Sequence, residues 1–155
     1  MNKNDIYFMK YAIKFAKLAE IKEEVPVGAV LVLNNKIIGK GSNSSISKHD
    51  PTAHAEVIAL RIGGLYLKNY RLLSTTLYVT LEPCFMCYGA IIHSRISRLV
   101  FGTSYNNKSN YNFIKSNVLK HIKKNKIIIT ENVLEQECTS ILQKFFKNRR
   151  KNNYL

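Results

Sequence analysis

Near the N-terminus apolar residues recur at Ile6, Met9, Ile13 and Ala16, a spacing that puts them on one face of a helix capped by Asn4 and ending near Glu23. After Val25-Pro26 the period changes. Residues 27–33 are an apolar run of strand length and β-branched character, Asn34-Asn35 is a tight-turn signal, and 36–41 supplies the partner strand of a hairpin. From Ser42 to Thr52 the chain turns polar and reads as a loop. Thr52 is the expected cap of a helix whose first turn bears His54 and Glu56, and Gly63-Gly64 is its expected end. A strand over 76–81 follows, and Glu82-Pro83 turns it into a helix carrying Cys84, Cys87 and Ala90-Ile91-Ile92. Residues 98–102 form a further strand, succeeded by an Asn-rich polar loop through Asn112, and 127–129 form the last strand. From Val133 the tail is helical through Leu134, Cys138, Ile141, Leu142, Phe145 and Phe146, then basic at Lys147, Arg149, Arg150 and Lys151.

Strands that alternate with helices after one hairpin predict an α/β fold, a mixed central sheet covered on both faces in a three-layer α/β/α sandwich, with residues 1–155 as a single domain. A chain of 155 residues buries a full core without disulfide staples. Cys138, in the apolar-periodic tail, is expected to be an inert buried thiol. No apolar leader and no run long enough to span a bilayer is present, so neither secretion nor membrane insertion is indicated and a reducing, cytoplasmic setting is expected.

The chemistry concentrates in two short stretches, His54-Ala55-Glu56 and Pro83-Cys84-Phe85-Met86-Cys87. Two cysteines three residues apart at a helix start lie one turn apart on the same face and can share a metal ion. His54 is the natural third ligand, because neutral imidazole suits zinc, and three protein ligands leave the fourth tetrahedral position open. An open position means catalysis. Glu56 is too close in sequence to His54 to be a fourth ligand, but it is placed to move the protons of a water in that position. A lone Cys-x-x-Cys could also be a redox pair, half of a structural zinc knuckle, or two small buried residues. No second Cys-x-x-Cys closes a four-thiolate site, however, and a redox pair explains neither the His-x-Glu nor Pro83. The combined spacing matches the H-x-E…P-C-x-x-C pattern of zinc nucleobase deaminases. His49 and His93 have no cysteine at a matching spacing and are expected to be ordinary hydrogen-bonded residues.

A net charge of +14 and a pI near 9.8 suit a nucleic-acid partner. The chain is also crowded with Lys, Asn and Ile throughout, which a coding bias toward A and T produces whatever the function. The charge alone therefore does not decide.

Six stretches resemble the bacterial-type tRNA-specific adenosine deaminases of the cytidine deaminase superfamily: Pro26-Val27-Gly28-Ala29-Val30, 49–56, Asn69-Tyr70-Arg71-Leu72, 77–84, His93-Ser94-Arg95-Ile96 and Phe101-Gly102. Phe145-Phe146 with Arg149-Arg150 is similar to that family's C-terminal helix. The resemblance implies a cytidine deaminase-like fold and hydrolytic conversion of adenosine to inosine at the wobble position of a tRNA anticodon. It further implies one zinc ion per subunit on His54, Cys84 and Cys87, with Glu56 as proton shuttle. Substrate contacts are implied at Asn43, Val27, Ala55, Phe145 and Arg149, and the assembly is a homodimer that takes the anticodon loop. The chain departs from the family after Gly102, with Tyr105 in place of an aspartate and Asn106-Asn107-Lys108 in place of a glycine-bearing segment, so no RNA contact carries over to residues 103–112 and Tyr105 is available to stack on a base. A deaminase of free cytosine, guanine or cytidine would use the same zinc machinery, yet a neutral small substrate gains nothing from the positive charge. A zinc-bearing RNA-binding subunit without catalysis is the other alternative, and it has no need of Glu56.

Overall fold

The structure, a computed structural model, describes residues 2–104 and 111–152; Tyr105 and the rest of the segment 105–110 lie outside the described residues. Helix α1 (Lys3–Ile21) is capped by Asn2, whose side chain accepts from the Asn4 N–H, and not by Asn4. Its buried face is Phe8, Met9, Ala12, Ile13 and Ala16, while Ile6 is only half-buried. Strands β1 (Gly28–Leu33) and β2 (Lys36–Ser42) pair as the expected antiparallel hairpin. Its turn uses Asn34 and Asn35 at φ 49° and 59°, the left-handed conformation that asparagine tolerates best after glycine.

Helix α2 (Ala55–Leu67) begins after His54, which holds the N-cap position. Thr52 is not the cap, because its hydroxyl and N–H both donate to Asp50 Oδ1, at 2.7 and 2.8 Å. Nor does Gly63-Gly64 end the helix. A side chain at Gly63 would run into Leu31, so this glycine lets α2 lie close on β1, and the stop comes at Lys68 in the left-handed region. Strand β3 (Thr76–Leu81) leads into α3 (Phe85–Ser94), and β4 (Arg98–Thr103) follows as predicted. Helix α4 (Tyr111–Lys124) occupies a stretch where the sequence suggested only a loop and then no element. Strand β5 (Ile128–Thr130) and helix α5 (Glu135–Asn152) complete the described chain.

The sheet order is β2-β1-β3-β4-β5, with β1 antiparallel to both neighbours and β3, β4 and β5 parallel. Both faces are apolar, as a covered sheet requires. Leu31, Leu77, Val79, Leu99 and Phe101 point to α2, α3 and α4, whereas Val30, Val32, Tyr78 and Val100 point to α1 and α5. The period-two alternation of these central strands thus builds two cores, and the expected three-layer α/β/α sandwich is the observed one. Cys138 is buried in the second core, where burial pushes its thiol up to about 12.

A polar network inside that second core joins residues distant in sequence. Arg98 grips Asp5 through two bonds of 2.7 and 2.8 Å and donates to Thr130 Oγ1 at 2.8 Å, while the Tyr78 hydroxyl donates to Asp5 at 2.9 Å. These bonds, the Arg98 one foremost, hold Asp5 below the ordinary carboxylate range despite its burial. A carboxyl with a depressed value in the fold contributes stability above its unfolded value and loses it as pH falls. Asp5→Asn therefore costs about 2 kcal/mol at pH 7, and in urea unfolding its deficit against the wild type shrinks once the pH drops below the unfolded value of 3.8. A deficit that does not change with pH would assign the effect to packing.

Candidate metal centre and active site

Strands β2 and β3 end at the same rim of the sheet, beside the start of β1, and there α2 and α3 both begin. The N-cap residue of each is a proposed ligand: His54 for α2 and Cys84 for α3. An ordinary N-cap side chain bonds back to its own helix. Neither of these does so; they turn toward each other instead. Cys87, one turn into α3 and fully buried, completes a group whose three donor atoms lie within 4.8 Å of one another.

The spacing fits a tetrahedral ion. With Zn–S near 2.3 Å and Zn–N near 2.05 Å, the N···S edge of a tetrahedron is about 3.6 Å. His54 Nδ1 lies 3.6 Å from Cys84 Sγ and 3.4 Å from Cys87 Sγ. The sulfurs are also prepared chemically. Hydrogen bonding from the Cys87 thiol, with the Cys87 N–H and His54 adding to it, brings Cys84 down to about 5, while the bond to Cys84 and burial push Cys87 up. A zinc ion held here would take both sulfurs as thiolates, the form in which cysteine ligates.

Glu56 sits in the first turn of α2, 4% exposed. Burial raises its carboxyl to about 7, opposed by its own backbone N–H and by His54. His54, Cys84 and Cys87 all act on its charge, which places the carboxyl beside the three ligands without being one of them.

Above this floor opens a cleft of about 1000 Å³. Its wall includes Asn43, Val27 and Ala55, three of the residues singled out from sequence. The remaining two are placed elsewhere. Phe145 is buried, and Arg149 stacks over its ring and donates to the Glu23 carbonyl at 2.6 Å, so both face the end of α1 and not the cleft. Their neighbours Phe146, Lys147 and Arg150 line the opening. The helical period explains this: Cys138, Leu142, Phe145 and Arg149 recur on one stripe, and Phe146 and Arg150 recur on the next. Glu24, buried on the same wall, had no signal beyond a carboxylate just before Val25-Pro26.

A His/Cys/Cys donor set at two helix starts, over a mixed sheet and beside a buried glutamate, defines a class: residues 2–103 match the model of the cytidine and deoxycytidylate deaminase zinc-binding region. Within that class the tRNA-specific adenosine deaminase of Buchnera aphidicola subsp. Baizongia pistaciae is 64% identical over 97% of this chain and 93% of its own. That of Haemophilus influenzae is 51% identical over 94% of this chain and 85% of its own. A solved structure from a study of A-to-I editing by tRNA:A34 deaminases at the wobble position of transfer RNA superposes with a TM-score of 0.78 at 36% identity, over 88% of this chain and 99% of that one. The chain belongs to the tRNA-specific adenosine deaminase family.

Proposed function

We propose that this chain deaminates adenosine to inosine at the wobble position of a tRNA anticodon, with one zinc ion per subunit held by His54, Cys84 and Cys87. The observation that carries this reading is the convergence of those three donors beside the buried carboxyl of Glu56, at the bottom of a cleft rimmed by Phe146, Lys147 and Arg150. Zinc in that position supplies Lewis acidity that makes a nearby water easier to deprotonate. Glu56 takes one proton of the attacking water as its oxygen adds to C6 of adenine and passes it to the ring nitrogen; it then takes the proton of the new C6 hydroxyl and passes it to the amine, so that the C–N bond breaks, ammonia leaves and the C6 carbonyl of inosine remains. A carboxyl whose value lies about 7 can both accept and return a proton near neutrality, and a dication beside it favours the ionised form that starts the cycle.

Recognition follows from the walls. Asn43 contacts the purine, Val27 and Ala55 supply its apolar bed, and Phe146 offers a stacking face at the mouth with Lys147 and Arg150 toward phosphate. An anticodon loop presents splayed bases, which lowers the cost of unstacking the target compared with a duplex. The reading includes a homodimer in the cytoplasm. It is supported by an exposed apolar face on α2, where Ile62, Leu65 and Tyr66 are neighbours, and by the absence among the described residues of any helix long and apolar enough to cross a membrane.

The test is a deamination assay on an arginine tRNA anticodon stem-loop with adenosine at the wobble position, read by sequencing, beside free cytosine, guanine and cytidine. Inosine in the RNA alone is expected. Faster turnover of a free base would replace the RNA substrate by a small molecule and keep the zinc chemistry.

A further inference from the structure

Glu24 lines the cleft but has no place in the proton transfers above, and its surroundings are unusually specific for a residue 1% exposed. Its position is set by the end of α1. Glu23 takes φ 59°, and the Glu24 N–H reaches back to the Ala19 carbonyl at 3.0 Å, a helix termination that ordinarily uses glycine at the left-handed residue. This bend carries the Glu24 carboxylate inward, where three donors meet it. Oε1 accepts from the Ser47 N–H at 2.7 Å, and Oε2 accepts from the Ile46 N–H at 3.2 Å and from Asn43 Nδ2 at 3.5 Å.

All three donors belong to one loop, which meets the cleft wall at Asn43, Ser45 and Ile46; of these, Asn43 is the one that offers a side-chain amide. Its amide is held at both ends, since Oδ1 accepts from Ser45 Oγ at 3.3 Å. Only a carboxylate suits such a position. It offers two oxygens and no donor, whereas an amide would turn an NH₂ group against one of the three N–H groups. Burial opposes the charge, but the Ser47 and Ile46 N–H groups, together with the Ser47 side chain and the Arg149 guanidinium, hold the carboxyl below its ordinary value, so the ion is the form present near neutrality.

We propose that Glu24 is a positioning residue for substrate recognition: it folds loop 43–47 and fixes the Asn43 amide so that Asn43 presents its remaining N–H and its carbonyl to the purine edge. The proposal rests on the reading of Asn43 as the purine contact. It deepens that reading by assigning the orientation of the contact to a residue outside the loop.

A double-variant cycle tests it on the anticodon stem-loop, with zinc content and melting temperature as controls. Glu24→Gln and Asn43→Ala are each expected to lower kcat/KM about 30-fold. The double variant falls no further than Asn43→Ala, because Glu24 acts through that side chain. Glu24→Asp keeps the charge and recovers part of the loss. Hydrogen exchange at the Ile46 and Ser47 amides speeds up in Glu24→Gln whether or not substrate is present. Losses that multiply in the double variant, or exchange at 46 and 47 that does not change, would overturn the proposal. A wild-type chain that forms no inosine would instead overturn the functional reading, and exchange at those two amides would still decide whether Glu24 holds the loop.

Discussion

Glu56→Gln lowers inosine formation by about 10³-fold or more while the zinc content and the melting temperature stay close to those of the wild type. The amide has nearly the volume of the carboxyl it replaces, so the core of α2 is not disturbed, and it is not one of the three donors that lie within 4.8 Å of one another. What it removes is a carboxyl whose value, raised by burial to about 7, lets it take and return a proton near neutrality. The loss should appear in kcat, because a proton shuttle acts on the reacting atoms and not on the RNA held at the cleft mouth. Metal analysis, melting and single-turnover kinetics on one preparation check the three parts together. Turnover within a few-fold of the wild type would assign the proton transfers to another group.

Gly41→Ala carries the second large effect, although Gly41 touches no substrate. This glycine lies in β2 directly beneath the first turn of α2, and a Cβ built on it would fall on the Ala55 carbonyl, with the Ala59 nitrogen 3.0 Å away. Both obstacles are backbone, so no side chain can swing aside and α2 itself has to move. Overpacking of that kind costs about 3 kcal/mol. It also shifts His54 at the N-cap of α2 relative to Cys84 and Cys87 on α3, so zinc content should fall along with the melting temperature. A methyl group in a strand of the hairpin would then reach the metal centre through rigid backbone. Unchanged zinc content in a destabilised variant would show that the helix start yields without disturbing the ligands.

These two residues mark how differently parts of the site announce themselves. His54, Glu56, Cys84 and Cys87 are legible because their chemistry depends on short separations: two residues from histidine to glutamate, three between the cysteines, each repeated by helix geometry. Asn43, Val27 and Ala55 were implied by family resemblance alone, and the fold brings all three to the cleft. Phe145 and Arg149 were implied in the same way, yet they sit one helical step from the residues that line the opening. One residue along a helix is about 100° in direction, and only the buried stripe of α5 shows which way each of these side chains faces.

Local periodicity by itself determined most of the elements, the mixed sheet, the two-faced apolar strands and the pairing of two ligand-bearing helix starts, since each depends on neighbours within a turn or a pleat. Tertiary structure alone decided what the glycines are for. In all seven the backbone avoids the left-handed region, and Gly28, Gly41, Gly63 and Gly102 serve close approach, while non-glycine residues such as Glu23, Asn34, Asn35, Lys68 and Arg95 take the positive φ angles at turns and caps. It also decided the partners of Asp5 and Glu24, which lie 93 residues away at Arg98 and 19 to 23 residues away in the Asn43 loop. A buried charge is stable only where donors converge on it, and that convergence is a property of packed elements which no stretch of sequence contains.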